Sequence, residues 1–319
     1  MKQKTYLVAG GAGFLGSHMV ERILSEGQKV ICIDNFLTGI AENISAFKNN
    51  SDFVLIEGDI CNKKVLELDG EINYVLNYAC PASPIDYRQH PVETLEVCSA
   101  GVKNLLELSR RKKARFFHTS TSEVYGDPLV HPQTESYWGR VNSYGERSCY
   151  DEGKRYAEAL IYIYNKDFKV DTAVVRIFNT YGPRMKPFDG RVVSTFIRQA
   201  LAGEDITIFG DGSQTRSFCY ISDQIEGHWR LIQSKESGPI NIGNPGEFTM
   251  LELAQKIIEI TKTSSNLIHK PLPADDPMQR CPDITKARQS LSWEAVVQLD
   301  EGIKKTIEWF KHATTHVVA

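Results

Sequence analysis

Near the N-terminus a short apolar run, Lys4–Ala9, meets the turn Gly10-Gly11-Ala12-Gly13-Phe14-Leu15-Gly16 and then an amphipathic stretch to about Glu26. Strand, glycine turn and helix in that order constrain the chain more than any other feature. A turn stripped of side chains lets a pyrophosphate reach the helix N-terminus, where free backbone N–H groups and the helix dipole favour an anion. The pattern predicts the first unit of a dinucleotide-binding fold. The next strand, Lys29–Ile33, runs into Asp34-Asn35-Phe36. A carboxylate there is placed to accept hydrogen bonds from an adenosine ribose and to repel a 2′-phosphate. No arginine follows to reverse that preference, so NAD is favoured over NADP.

The alternation continues with strands at Phe53–Ile56, Tyr74–Asn77 and from Arg115, and with helical spacing from Pro91 to Arg110 in Val92, Leu95, Val102, Leu105, Leu106 and Leu108. Tyr150 to Phe168 reads as a long helix and Thr172 to Phe178 as a sixth strand. Repeated units of this length predict an α/β fold, a Rossmann doubly wound parallel sheet with ligands at the carboxyl ends of its strands. Later the pattern loosens: a helix over Val192–Ala202, a turn at Asp211–Arg216, a strand over Ser217–Ile221, helices over Met250–Thr261 and Asp300–Lys311, and a loop at Pro271–Pro282. The expected division is an NAD-binding domain at 1–178 with about 217–238, and a smaller C-terminal α/β substrate-binding lobe at 179–216 and 239–319.

A formal net charge of −3 over 319 residues gives no case for a nucleic-acid partner. No apolar run approaches the roughly 18 residues of a membrane span, and the N-terminal apolar stretch is short for a signal peptide, so a soluble cytoplasmic protein is expected. Seven scattered cysteines with no Cys-x-x-Cys suit free thiols in a reducing compartment. His312 and His316 lie four apart near the C-terminus, and no metal site is expected there.

The chemistry concentrates between Ser120 and Lys154. Thr121, Ser122 and Glu123 follow the fifth strand, and Tyr150 and Lys154 share a helix face one turn apart. A tyrosine near its ordinary pKa of about 10 is a poor base at neutral pH. A nearby ammonium and the cationic nicotinamide ring favour its ionised form. Spacing alone does not select this pair, because Tyr162 and Lys166 repeat it. Position does: Tyr150 lies near the helix start, at the ligand edge, whereas Tyr162 is about 18 Å farther along. For Glu123 the alternative role is an ordinary loop carboxylate or helix-cap partner.

Taken together, the stretches GGAGFLGSH, DNFLTG, ACPASP, TSTSEVYGDP, SCYDEGKR, RIFNTYGPRM, DGRVVSTFI, GDGSQTRSF and DDPMQRCPDI resemble the extended short-chain dehydrogenase/reductases that act on nucleotide sugars, and among them the UDP-glucuronate decarboxylases. The resemblance covers nearly the whole chain. It implies a UDP-sugar substrate, oxidised at C4 with NAD, decarboxylated to UDP-xylose and reduced again. It implies NAD contacts from Gly10, Gly13, Phe14, Leu15, Gly16, Asp34, Asn35, Phe36, Asp59, Ile60, Tyr78, Thr119, Tyr150, Lys154, Thr180 and Arg191. It also implies catalytic roles for Thr121, Ser122, Glu123, Tyr150 and Lys154. Asn179, Arg191, Arg216 and Arg280 are implied on the substrate. A 4,6-dehydratase or a 4-epimerase is the alternative within the same chemistry.

Two departures stand out. The usual Lys-Thr-Asn reads Glu96-Val97-Cys98, and the usual Asn-Pro before the long helix reads Asn142-Ser143. Glu96 would repel an anionic substrate if it faced the site. Relatives of this kind are commonly homodimers built on two helices per subunit, here Pro91–Arg110 and Tyr150–Phe168, with Tyr156, Tyr162 and Tyr164 as an interface face.

Overall fold

The computed structural model describes residues 2–271 and 279–314. Its first half alternates β1 (Thr5–Ala9), α1 (Phe14–Ser25), β2 (Lys29–Asp34), β3 (Phe53–Glu57), β4 (Tyr74–Asn77), α2 (Pro84–Gln89), α3 (Pro91–Glu96), α4 (Val102–Lys112), β5 (Arg115–Thr121), α5 (Ser148–Phe168) and β6 (Thr172–Ile177). There follow β7 (Thr180–Tyr181), α6 (Val192–Ala202), β8 (Ile206–Phe209), β9 (Thr215–Ser217), β10 (Cys219–Tyr220) and α7 (Ile221–Gln233). The chain then runs through β11 (Pro239–Ile242), β12 (Glu247–Thr249), α8 (Met250–Thr261), β13 (Leu267–Lys270), β14 (Gln279–Arg280), α9 (Thr285–Leu291) and α10 (Leu299–Thr314).

Seven strands form one sheet in the order β11-β6-β5-β4-β1-β2-β3, and every pairing is parallel. The expected doubly wound class is what the chain adopts. Such a sheet needs cover on both faces, and it has it. α4 and α5 pack over one face with Leu105, Phe116 and Ile161, while Met19, Ile23 and Leu231 from α1 and α7 join the core on the other. The strand order reverses between β1 and β4, which opens a crevice at their carboxyl ends.

The first turn is tight because it is glycine. Gly10 has φ +76, and a Cβ there would lie 2.6 Å from the Ala79 backbone nitrogen; one on Gly16 would collide with the Gly10 carbonyl. α5 is seated by a half-buried ion pair: Arg176 on β6 gives two hydrogen bonds to Glu158, which also accepts from Ser120 on β5. These contacts fix the helix that carries Tyr150 against the strand that ends at Thr121.

The later segments differ from the sequence pattern in particular ways. The helix over 91–110 is broken by a π turn at Val97–Gly101, and Val92 and Leu95, read as part of its apolar face, are exposed. The expected strand over 217–221 divides between β9 and β10, and Ile221 instead starts α7, which packs on α1 and the sheet. β11 joins the sheet beside β6, so the chain returns to it beyond residue 238, where the second lobe was expected to resume. Most of the loop Pro271–Pro282 and His316 lie outside the described residues. In the second lobe β9 pairs antiparallel with β12 and parallel with β14, which sets Arg216 beside Arg280.

The Gly16 contact is testable. Gly16→Ala should lower the unfolding free energy by about 1–3 kcal/mol, the usual range for overpacking. An unchanged urea midpoint and slope would show that the turn has room the geometry denies.

Candidate active site

A cleft of about 700 Å³ runs along the carboxyl ends of β1, β4, β5 and β6, with the second lobe as its far wall. Its size is ordinary for a small-ligand site. Gly10, Gly13, Phe14, Leu15, Gly16, Tyr78, Thr119, Thr121, Ser122, Glu123, Tyr150, Lys154, Asn179, Thr180, Arg191, Arg216 and Arg280 all line it. Residues scattered over 270 positions of sequence are thus brought to one wall or the other.

At the sheet end, α1 begins with Gly13 as its N-cap, no side-chain cap and no acid in its first turn. Its N-terminal N–H groups are left for an anion. Together with a turn whose glycines admit no side chain, this donor set fits a dinucleotide pyrophosphate.

Asp34, Asn35, Phe36, Asp59 and Ile60 are set back from the cleft wall. Asp34 is buried; one oxygen accepts from the Ala12 N–H at 2.8 Å and the other from the Phe36 N–H at 2.9 Å. Burial pushes its pKa up, against those two bonds. Asn35 donates to Asp59 at 3.3 Å, and Ile60 is core. Asp34 therefore braces the glycine turn from behind.

Tyr150 and Lys154 are both buried on α5. The Lys154 ammonium donates to the Thr119 carbonyl at 2.8 Å and lies 5.8 Å from the centre of the Tyr150 ring. Burial raises the Tyr150 phenol above its ordinary pKa; Lys154, and a side-chain hydrogen bond with Thr121, pull the other way. The expectation that the ammonium lowers the phenol is right in sign, but burial outweighs it. Lys154 keeps its proton: burial works against the charge, and the Cys80 and Cys98 sulphurs and Tyr150 overcome it. Tyr162 and Lys166, the duplicate pair, are both exposed.

Glu123 is clamped. Both of its oxygens accept from the forked Arg280 guanidinium, and one also meets Arg147 Nη2 at 2.6 Å. Burial opposes ionisation, yet Arg280 and then Arg147 hold the carboxyl down to about 2. Arg280 was expected on the substrate; here its partner is the acid. Arg191 lies 3.5 Å from Asp189, Asn179 donates weakly to the Ser217 carbonyl, and Arg216 donates to the Thr215 carbonyl.

Three residues of this site are given no role by the sequence reading. Arg147 is the N-cap residue of α5, and its only sequence signal is the i, i+4 spacing to Asp151, 3.9 Å away. Asp151 is buried with one oxygen unpartnered among the described residues. Burial, and then Glu123, push its carboxyl up to about 7 against Arg147 and Arg280. Tyr87 stacks on Tyr150 with ring centres 5.2 Å apart and planes 12° apart, its hydroxyl likewise unpartnered. Glu96 resolves the other way: it is exposed on α3 and does not line the cleft. Away from the cleft, His131, Glu247 and Cys281 gather their ligand atoms within 4.8 Å, a grouping with no signature in sequence.

The profile of the family described as GDP-mannose 4,6 dehydratase matches residues 7–306. UDP-glucuronic acid decarboxylase 6 of Arabidopsis thaliana is 51% identical over 306 residues, covering 96% of this chain and 88% of that protein. UDP-glucuronic acid decarboxylase 1 of Danio rerio is 47% identical over 314 residues, covering 98% and 74%. Among solved structures, the UDP-glucuronic acid 4-epimerase of Bacillus cereus, in complex with UDP-glucuronic acid and NAD, superposes with a TM-score of 0.87 at 29% identity, covering 97% and 99%.

Asp151 makes a prediction about pH. The unfolded carboxyl loses its proton near 3.8 and the folded one near 7, so between these values the unfolded state binds fewer protons. Its contribution to stability therefore falls as pH rises through that window and is constant above it. Asp151→Asn should gain on the wild type between about pH 4 and 7 in urea unfolding. A difference independent of pH would show that Asp151 titrates normally.

Proposed function

The chain belongs to the UDP-glucuronic acid decarboxylases of the extended short-chain dehydrogenase/reductases, and we propose that the Tyr150–Lys154 cleft performs their reaction, with Tyr150 as the base. The enzyme converts UDP-glucuronate to UDP-xylose through a 4-keto sugar, and the observation that carries the site assignment is Tyr150 buried beside Lys154 at the end of β5. NAD would be held by the α1 N-terminus and the glycine turn. When bound, it accepts a hydride from C4 of the sugar and later returns it.

Tyr150 takes the proton of the sugar 4-hydroxyl, with Thr121 and Lys154 steadying the phenolate. Lys154 is held in place by the Thr119 carbonyl. With C4 a ketone, the C6 carboxylate is β to a carbonyl. Breaking the C5–C6 bond then releases CO₂ and leaves the electron pair as an enolate, which takes a proton at C5. Arg147 and Arg280 place positive charge at the Glu123 end of the cleft, where an anionic sugar group would be drawn. Glu123, held ionised, accepts hydrogen bonds there and orients the arginines. Arg216, behind the same wall, is assigned to the diphosphate.

A homodimer is part of the reading. Leu95 on α3 and Tyr156 and Tyr162 on α5 are exposed together, and a hollow between the helices is lined by Leu95, Gly153 and Tyr156. A twofold pairing would cover them. Tyr164 is excluded from that face, because it is buried and its hydroxyl bonds Glu107 at 2.5 Å. No helix among the described residues is long and apolar enough to cross a membrane.

Incubation with UDP-glucuronate should release CO₂ and yield UDP-xylose; a 4-epimer formed without CO₂ would overturn the assignment. Tyr150→Phe should cut turnover by about 10²–10⁴-fold while NAD still binds, and Tyr162→Phe should do little. Equal losses would move the chemistry off Tyr150. For the dimer, Leu95→Glu should convert the species seen by sedimentation to a monomer, and an unchanged mass would place the interface elsewhere.

A further inference from the structure

Beside Tyr150 and Lys154 lies a pair of thiols that the proposed reaction does not use. Cys80 follows β4 and lines the cleft. Cys98, on the π turn behind it, is 1% exposed, and the two Sγ atoms are 3.7 Å apart. The Lys154 ammonium is close enough to favour the ionised form of Cys80. Cys98 stands where the resembling sequences carry asparagine, so the pair belongs to this chain and is not implied by the resemblance.

Sulphurs in van der Waals contact must close to about 2 Å to bond. A π turn, a single widened turn inside a helix, is a place where backbone can yield. The two thiols are also unequal. The Cys98 thiol, and then the Lys154 ammonium, hold Cys80 down to about 7 in spite of burial. Cys98 is pushed up, first by its hydrogen bond with Cys80 and then by burial. One sulphur is thus an attacking group near working pH and the other a protonated neighbour able to resolve.

We propose that Cys80 and Cys98 form a thiol–disulfide exchange site, oxidised by small disulfide-bearing molecules that enter the cleft, and that oxidation reversibly silences the enzyme. The Cys80 thiolate attacks one sulphur of the incoming disulfide, expels one thiolate and leaves a mixed disulfide. Cys98 gives up its proton, attacks Cys80 Sγ and displaces the second small thiol. The pair loses two hydrogens and the small disulfide becomes two thiols. The new bond takes the Cys80 sulphur from Lys154. It also draws on the turn that packs against Gly153, where an added Cβ would lie 3.2 Å from Cys98 Cβ.

The test treats the NAD-loaded enzyme with oxidised glutathione at about pH 8 and reads peptide masses without reduction. A Cys80–Cys98 peptide two hydrogens lighter should form, turnover should fall below about a tenth, and dithiothreitol should restore both. In Cys98→Ser the link cannot form, and glutathione should remain on Cys80. No link, a link from Cys80 to Cys149, or a link with turnover unchanged would each overturn the proposal. The masses are read without turnover, so failure of the decarboxylase assignment would leave this result standing.

Discussion

Burying a carboxylate at the end of a parallel strand costs several kcal/mol unless cations accompany it. Glu123 is in that position, and its two guanidinium partners come from different parts of the chain. Arg147 opens α5, on the sheet side; Arg280 lies on β14, in the second lobe. The same acid therefore sets the start of the helix that carries Tyr150 and draws the second lobe over the cleft. Neighbouring bonds support that closure. Gln133 exchanges three hydrogen bonds with Cys281 and Asp283, just beyond Arg280, and the pairing of β14 with β9 carries Arg216 along.

Tyr150 illustrates how burial and charge compete. A phenol deep in a cleft is harder to ionise, and Lys154 offsets that only in part. The ammonium is fixed at the Thr119 carbonyl and shared with sulphur atoms, so its field falls partly on Cys80. Stacking against Tyr87 fixes the ring plane. What the chain supplies by itself is a positioned, protonated tyrosine; the positive charge of an oxidised nicotinamide is the remaining influence that favours the phenolate.

Much of this was legible in the sequence because the doubly wound sheet writes itself in periodic form. Alternating strands, the glycine turn and the position of Tyr150 at a helix start all follow from local pattern. The residues that escaped it meet through tertiary contact: Tyr87, Arg147 and Asp151 gather around Glu123 and Tyr150, and apart from the i, i+4 spacing of Arg147 and Asp151 no spacing announces that. α7 was missed because Cys219-Tyr220-Ile221 has strand-like residues, and the helix begins at the last of them. Tyr164 shares a helix with the exposed Tyr156 and Tyr162 but points into the core, and Glu96 points to solvent. In both cases rotation about a helix axis decided what composition could not.

The clamp on Glu123 also bears on one of the rival chemistries, the 4,6-dehydration. A 4,6-elimination needs a base that removes the proton at C5 of the 4-keto sugar. A carboxylate whose conjugate acid sits near 2 is a weak base, and here both of its oxygens are already engaged with arginines. Decarboxylation needs no such base, because the departing CO₂ leaves its electron pair at C5. It needs an anionic sugar held with its carboxylate turned out of the plane of the forming enolate, and two fixed guanidinium groups suit that positioning. On the proposed assignment, the acid beside Ser122 serves to organise the positive charge of Arg147 and Arg280, and its engaged oxygens leave it little part as a proton acceptor.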